Sequence, residues 1–158
     1  MATPERDLAN GVVMEQLILT LLMWINQNSG FHYEARADIP NVIQITPQTL
    51  VSQMFGRTLS ASELKDMKSA IAAYYDHERK TIYLGDRLNI DTAYGKSALL
   101  HEFVHFIQYQ KGLADSAPCV NVIERSAYSV QSICLQQRRI QPEFDEFTVA
   151  IRGLCSNL

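Results

Sequence analysis

The sequence predicts a mostly helical α+β fold, and three observations support that prediction. Long segments near both ends of the chain place apolar residues at helical spacing. Between them lie short β-branched or aromatic runs bounded by turn residues, which are typical of strands. The composition is 47% hydrophobic and 20% charged, with seven glycines and five prolines among 158 residues, as in an ordinary globular protein. We therefore expect one compact domain over residues 1–158, with a small mixed or antiparallel sheet.

The first half of the chain begins with a predicted amphipathic helix over residues 12–28, which Asn28-Ser29-Gly30 ends. After Pro40, the β-branched run 42–45 predicts a short strand. Thr46 and Pro47 then suit the N-cap and first position of a helix running to about residue 56. The domain core is expected to start near residue 40.

Two further strands and two helices are expected in the core. A capping-box pattern starts a helical segment at Ser60, and strands are predicted over 70–75 and 81–84, joined by a polar turn. A long apolar helix is predicted over 97–110, ended by Lys111-Gly112, and a second over 120–138. The apolar tail, residues 139–158, is expected to pack back on the body.

The charge balance and the apolar runs limit the partners. Fourteen basic and seventeen acidic residues give a net charge of -3, and no basic cluster is interleaved with aromatics, so nucleic acid is not expected. The longest apolar run, 17–25, is about half the roughly 20 residues of a membrane-spanning helix, which indicates a soluble protein. The oligomeric state stays open.

The N-terminus and the cysteines leave the compartment open. No intact signal peptide is visible, so the protein stays inside the cell or is exported, for example to the periplasm, after a signal has been removed. Cys119, Cys134 and Cys155 permit one disulfide plus a free thiol, but they also fit the interpretation of small buried hydrophobes.

The residues that point to chemistry are His101, Glu102 and His105. Two imidazoles one helical turn apart project from the same face and can reach one metal ion. Glu102 projects toward the same cleft off the metal axis, where it can take a proton from a zinc-bound water. Zinc lowers the pKa of that water from about 15.7 to about 7, so a carboxylate suffices as base and later as acid.

Chance would place these three residues at this spacing on the order of once in a few hundred chains of this length. The surroundings argue against chance, because the motif lies inside a predicted helix whose apolar side is expected to be buried, leaving the motif to face a cleft. The apolar neighbours are Leu99, Leu100, Phe103, Val104 and Phe106.

A catalytic zinc site keeps three protein ligands, so a third is required. No histidine follows His105, which leaves a carboxylate or a cysteine. Glu124 is preferred because it lies on the next predicted helix, which would return antiparallel and bring it to the ion; a solvated glutamate beside Arg125 is the alternative. The other candidates are Asp115, Cys119, Glu143, Asp145 and Glu146.

Further polar residues are predicted to face the cleft. Glu124, Tyr128 and Gln131 form one stripe at i, i+4 and i+7. Tyr128 either donates its phenol to the oxyanion or packs its ring in the core. Gln108, one turn after His105, either orients a ligand or is a surface glutamine.

Peptide is the expected substrate. Strand 81–84 is predicted to present an exposed edge to which an extended peptide adds as another strand. His77, in the turn before it, is expected to be a solvated turn residue, and His32 is not expected to be a ligand.

The motif 101–105 followed by Glu124-Arg125-Ser126-Ala127-Tyr128 resembles the gluzincin metallopeptidases, in which a glutamate on a following helix completes the HExxH zinc site. The resemblance is closest to compact minigluzincin-like and uncharacterised bacterial domains with an Asp, a Thr-Ile-Tyr-Leu strand and an ExxAYxxQ helix. It covers roughly residues 40–138. It implies a zincin-like fold, with a small sheet above an active-site helix, and zinc on His101, His105 and Glu124.

The resemblance implies a zinc peptidase with Glu102 as base and acid. The chain departs from the larger gluzincins because it lacks a sizeable C-terminal subdomain. Some small relatives are proenzymes whose terminal segment blocks the cleft, and tail 139–158 is a candidate for such a block. The alternative function is a binding or regulatory module that keeps zinc without hydrolysis.

Overall fold

The structure is a computed structural model that describes residues 4–34, 38–67, 71–142, 144 and 155. It shows an α+β architecture in which helices dominate, as the sequence predicts. In chain order the elements are α1 (Pro4–Asn28), β1 (Asn41–Ile45), α2 (Pro47–Phe55), α3 (Ala61–Met67), β2 (Ala73–Asp76), β3 (Thr81–Gly85), α4 (Ala93–Gln110), α5 (Leu113–Ser116) and α6 (Val120–Gln137).

The sheet is mixed and has the strand order β1-β3-β2. β1 runs parallel to β3, and β2 pairs with β3 as an antiparallel hairpin. β3 is therefore central, and the prediction that strand 81–84 offers an exposed edge is wrong. All five residues of β3 are buried. A central strand has both edges paired, so a peptide cannot add to it; β2 and β1 are the outer strands.

Helix α4 is the centre of the core. It packs against β2 and β3 on one side, against α6 on another and against α1. Leu99, Phe103 and Phe106 are completely buried, and replacing such a phenylalanine by alanine costs about 3–5 kcal/mol. Because α4 is surrounded by other elements, its histidines are held in fixed positions rather than on a solvated surface.

Local capping explains where several helices begin and end. The Thr46 hydroxyl accepts from the Thr49 amide, Pro47 follows it, and Gly56 ends α2 with φ 64°, as predicted. The capping box before α3 is also confirmed, since the Ser60 amide donates to Glu63 and the Glu63 amide donates to the Ser60 hydroxyl.

Two helices begin earlier than the apolar pattern indicates. α4 begins at Ala93 rather than residue 97, because Thr92 caps it by accepting from the Gly95 amide. A Cβ on Gly95 would lie 1.9 Å from the Asn89 carbonyl oxygen, so this turn requires glycine. α1 begins at Pro4 rather than residue 12, since a proline suits a first helical turn even where the sequence is polar.

The short helix α5 was not predicted, because four residues are too few to show a helical period.

The structure also decides between the two interpretations of the cysteines. Cys119 and Cys155 form a disulfide, which corrects the interpretation of both as small buried hydrophobes, while Cys134 is a buried free thiol. Most of tail 139–158 lies outside the described residues. Beyond residue 142 the structure describes only Phe144 and Cys155, so the predicted packing of the tail on the body falls largely outside the described part of the chain.

Membrane-spanning helices were sought in the part of the chain that the structure describes. None of its helices is both long enough and apolar enough to cross a membrane.

Candidate metal centre

Helices α4 and α6 bring His101, His105 and Glu124 together. The two Nε2 atoms of the histidines are 3.0 Å apart. One oxygen of Glu124 lies 3.3 Å from Nε2 of His101, and the other lies 3.3 Å from Nε2 of His105. The three potential ligand atoms all lie within 4.8 Å of one another. Residues on two separate helices therefore converge on one point, which is where the prediction of Glu124 as third ligand needs them to be.

Two buried glutamines hold the outer nitrogens of the histidines. Nδ1 of His105 lies 2.8 Å from the amide oxygen of Gln108, and Nδ1 of His101 lies 3.1 Å from that of Gln131. An amide oxygen only accepts, so each Nδ1 carries a proton, and each ring in its neutral form has its lone pair on Nε2. This is the tautomer in which a histidine binds a metal through Nε2.

Each glutamine is itself fixed in orientation. The Gln108 side-chain nitrogen donates to the Ile123 carbonyl at 3.0 Å and to the Ser126 hydroxyl at 2.7 Å. The Gln131 side-chain nitrogen donates to the Ser97 hydroxyl at 3.2 Å. Gln108 is 1% exposed, so the alternative of a surface glutamine is wrong, and the predicted role of orienting a ligand has the geometry it needs.

The chemistry of the donor set suits a divalent cation. When both rings are neutral, two imidazole lone pairs and a carboxylate face one another, and such acceptors repel unless a proton or a metal ion lies between them. Two histidines and one carboxylate form a ligand set used by catalytic zinc sites, which leave a further position open. The same atoms can alternatively share a proton, so the geometry permits a metal without identifying it.

The pKa directions at the cluster reflect this crowding. Burial acts to raise the pKa of Glu124, but hydrogen bonds from His101 and His105 and their positive charge lower it well below its usual value. Burial acts to lower the pKa of His105, but the bond to Glu124 and the charges of Glu102 and Glu124 raise it to about 9. A divalent cation would replace the proton on His105.

Glu102 lies beside the cluster on the side of β2. Its side chain is buried, which raises the pKa of its carboxyl, and the backbone amide of Tyr75 donates a hydrogen bond to it. The histidines lower that pKa, and Glu124 raises it. Glu102 is not within the three-residue ligand cluster. Its carboxylate therefore lies beside the cluster without belonging to it.

A cleft of about 600 Å³ opens over the cluster. One wall, which we call the helical wall, consists of α4 and α6. The other, the sheet wall, consists of residues 71–75 together with Met54 of α2. Three aromatic residues line the helical wall around the cluster: Tyr94, Tyr109 and Tyr128.

Tyr128 lies in the cleft, as the predicted polar stripe requires. Its ring centroid is 4.5 Å from that of His101 and 4.8 Å from that of Phe144, both in edge contacts. The ring thus packs, and it also lies beside a potential metal ligand. Its proposed donor role stays a prediction.

The remaining third-ligand candidates do not join the cluster, or lie outside the described residues. Cys119 is bonded to Cys155, so its sulfur is not available as a thiolate ligand. Asp115 is not part of the three-residue cluster. His32, which was not among these candidates, pairs with Glu34. Glu143, Asp145 and Glu146 lie outside the described residues.

Two residues near the site had no functional role in the sequence analysis. Tyr109 lines the cleft, and the flat ring of His77 stacks on it with centroids 4.3 Å apart and planes 6° apart. His77 is exposed in the hairpin turn, as predicted, but it also has this defined partner. The sequence did hold a signal for Tyr109, because it follows His105 by one helical turn and so lies on the same face of the helix.

The fold and the cluster define a helical α+β protein with a candidate divalent-metal site. Residues 10–158 match the family described as a domain of unknown function, DUF6647, and the chain belongs to that family. No curated protein and no solved structure matches the chain.

Proposed function

We propose that this protein is a zinc-dependent peptidase. The observation that carries the proposal is the convergence of His101, His105 and Glu124, with Glu102 held beside them. A site that only stores or binds zinc needs the three ligands but not a fourth, buried carboxylate next to the metal position. This arrangement also supports the proposed resemblance to compact gluzincins with a zincin-like fold.

A bound zinc ion would supply Lewis acidity, lowering the pKa of water from about 15.7 to about 7 and polarising a carbonyl. His101, His105 and Glu124 would hold the ion. Glu102 accepts the proton of the attacking water and then gives it to the leaving amine. Its burial raises the pKa of its carboxyl, which suits a group that must carry a proton between two steps.

Tyr128 is the proposed hydrogen-bond donor to the oxyanion that develops on the substrate carbonyl. Its ring lies against His101 and lines the cleft. A donor held at that position acts in a site with little water, where a hydrogen bond to developing charge is strongest.

The outer edge of β2 is the proposed binding surface for an extended peptide. Gly85 donates to the Ala72 carbonyl at 2.8 Å, so Ala72 and Tyr74 face β3. By strand alternation, Ala73 and Tyr75 turn their backbone groups toward the cleft. This edge of β2 replaces the edge that was predicted on β3. Backbone hydrogen bonds there would bind a peptide without depending on its side chains.

A latent form of the same enzyme is the second candidate, and one contact favours it. Phe144 of the tail lines the cleft and packs on Tyr128. An aromatic side chain at that place occupies space that a substrate would need. On this proposal the chain binds zinc but cleaves peptides slowly until the tail is displaced.

The proposal is tested with zinc-loaded protein, an internally quenched peptide library and the variant Glu102→Gln. We expect wild type to cleave, and the variant to keep about one zinc per chain while losing about 100- to 10,000-fold in kcat. The amide keeps the shape of Glu102 but cannot accept the proton. Cleavage that the variant retains in full would reject the mechanism, and zinc without any cleavage, even after tail truncation at residue 142, would favour a binding module.

A further inference from the structure

Tyr109 and Tyr128 lie at opposite ends of the metal cluster. Hydrogen bonds show that α4 and α6 are antiparallel, because Gln131 bonds His101 while Gln108 bonds the Ile123 carbonyl. Tyr128 is therefore beside His101, and Tyr109 is near the beginning of α6. Both rings line the cleft.

Tyr109 lies on the same face of α4 as the two histidines and lines the same cleft. It follows His105 by one turn on the same face of α4, and long helical side chains lean back toward the helix N-terminus. Burial raises the pKa of Tyr109, and the negative charges of Asp115 and Glu124 raise it further. The phenol therefore keeps its proton near neutral pH, as a hydrogen-bond donor must.

The β2–β3 hairpin holds the ring of Tyr109 in place. His77 stacks flat on it, and the ring of Tyr75 contacts it with centroids 5.9 Å apart and planes 58° apart. The backbone amide of Tyr75 also bonds Glu102. One hairpin therefore positions both the proposed base and the phenol at this end of the cleft.

The geometry points to Tyr109 as a second catalytic phenol and to His77 as its positioning residue. The Tyr109 hydroxyl donates a hydrogen bond to the substrate carbonyl oxygen as negative charge develops there, from the end of the cluster opposite Tyr128. The proton stays on the phenol throughout, so Tyr109 itself forms no covalent bond and transfers no proton; Glu102 carries the proton from water to the leaving amine. The inference rests on the proposed peptidase function.

The first experiment compares wild type, Tyr109→Phe and the control Tyr33→Phe, each zinc-loaded and full length. Tyr33 is a buried core tyrosine that packs on Phe106 and does not line the cleft, so loss of its hydroxyl should leave kcat unchanged. For Tyr109→Phe we expect about one zinc per chain, kcat about a hundredfold lower and KM within about twofold.

A second readout does not depend on turnover. A phosphinic peptide carries a tetrahedral anionic oxygen at the position of the oxyanion, and its affinity is measured by calorimetry. We expect Tyr109→Phe to bind it about a hundredfold more weakly, the same factor as in kcat. Wild type should show a tyrosine ultraviolet difference spectrum on binding, which this variant reduces.

The role of His77 is tested by a double-mutant cycle. His77→Ala removes the stacked ring and should lower kcat about fivefold, whereas His77→Phe keeps a flat ring and should restore it. In the Tyr109→Phe background, His77→Ala should have no further effect, because His77 acts through the phenol.

Three outcomes overturn the inference. If wild type and Tyr109→Phe cleave peptide equally well, the role of Tyr109 is rejected, but the proposed peptidase function still stands. An equal effect of His77→Ala in both backgrounds shows a general structural role for His77 and rejects its positioning role. A zinc-loaded wild type that neither cleaves peptides nor binds the phosphinic peptide rejects the proposed function, and this inference with it.

Discussion

The two walls of the cleft are built differently. On the helical wall, the polar side chains at the cluster bond one another, from Ser97 through Gln131 to His101 and from Gln108 to His105. On the sheet wall, the polar groups are those of the backbone, and the side chains are apolar or aromatic. Hydrogen bonds therefore hold the polar side chains of the helical wall in place, whereas the sheet wall offers a strand edge with which another chain can pair.

This difference separates two properties that a peptidase combines. Metal affinity should depend on the helical wall, where both histidines and the glutamines that bond them are buried. Substrate affinity should depend on the sheet wall, where backbone groups face the cleft. Variants of one wall should therefore leave the other property unchanged.

Glu124→Ala should have the largest effect on metal content. It removes one of three ligands, so zinc affinity should fall by more than the roughly 10–100-fold that loss of a supporting residue costs. Zinc per chain is measured by mass spectrometry after dialysis, with the exposed neighbour variant Arg125→Ala as control. Full zinc content in Glu124→Ala would mean that the third ligand lies elsewhere.

Gln131→Leu should weaken zinc binding by about 10–100-fold while leaving the fold intact. Without the amide oxygen, Nδ1 of His101 loses the partner that keeps Nε2 unprotonated. Competition with a chromophoric chelator measures the affinity. Gln136→Leu, an exposed substitution on the same helix, is the matched control and should bind zinc as wild type does. Equal affinities in all three proteins would show that this hydrogen bond does not support the ligand.

Ala73→Pro should have the smallest effect, and on substrate alone. Proline removes an amide that faces the cleft, and one hydrogen bond is worth about 1 kcal/mol, so KM should rise about fivefold with kcat and zinc content unchanged. Ala73→Gly keeps the amide and serves as control. A KM that does not change, measured with the same quenched peptide, would exclude pairing of the substrate at this position of β2.

The local features of the fold could be predicted from the sequence because they depend on neighbouring residues. The capping of α2 by Thr46, the capping box at Ser60 and the hairpin of β2 and β3 all lie within a few residues. The spacing of His101 and His105 is also local, since it needs only one turn of helix. Glu124 was reached by assuming that α6 returns antiparallel to α4.

The sequence-based predictions failed where residues that are far apart in the chain pair with each other. The sequence of β3 does not reveal that β1, which precedes it by a long connection, would cover its second edge in a parallel pair. The disulfide of Cys119 with Cys155 joins positions 36 residues apart, and the spacing of three cysteines left the pairing open. In both cases the partner is distant in the chain, so no local pattern identifies it.

The class of fold, the HExxH helix and a short set of candidate third ligands could be predicted from the amino-acid sequence, because side-chain spacing on a helix fixes which groups share a face. Only the tertiary structure decided that Gln108 and Gln131 hold the histidines, that β2 rather than β3 borders the cleft, and that His77 stacks on Tyr109. These depend on which elements pack together, and packing places in contact residues that no local pattern relates.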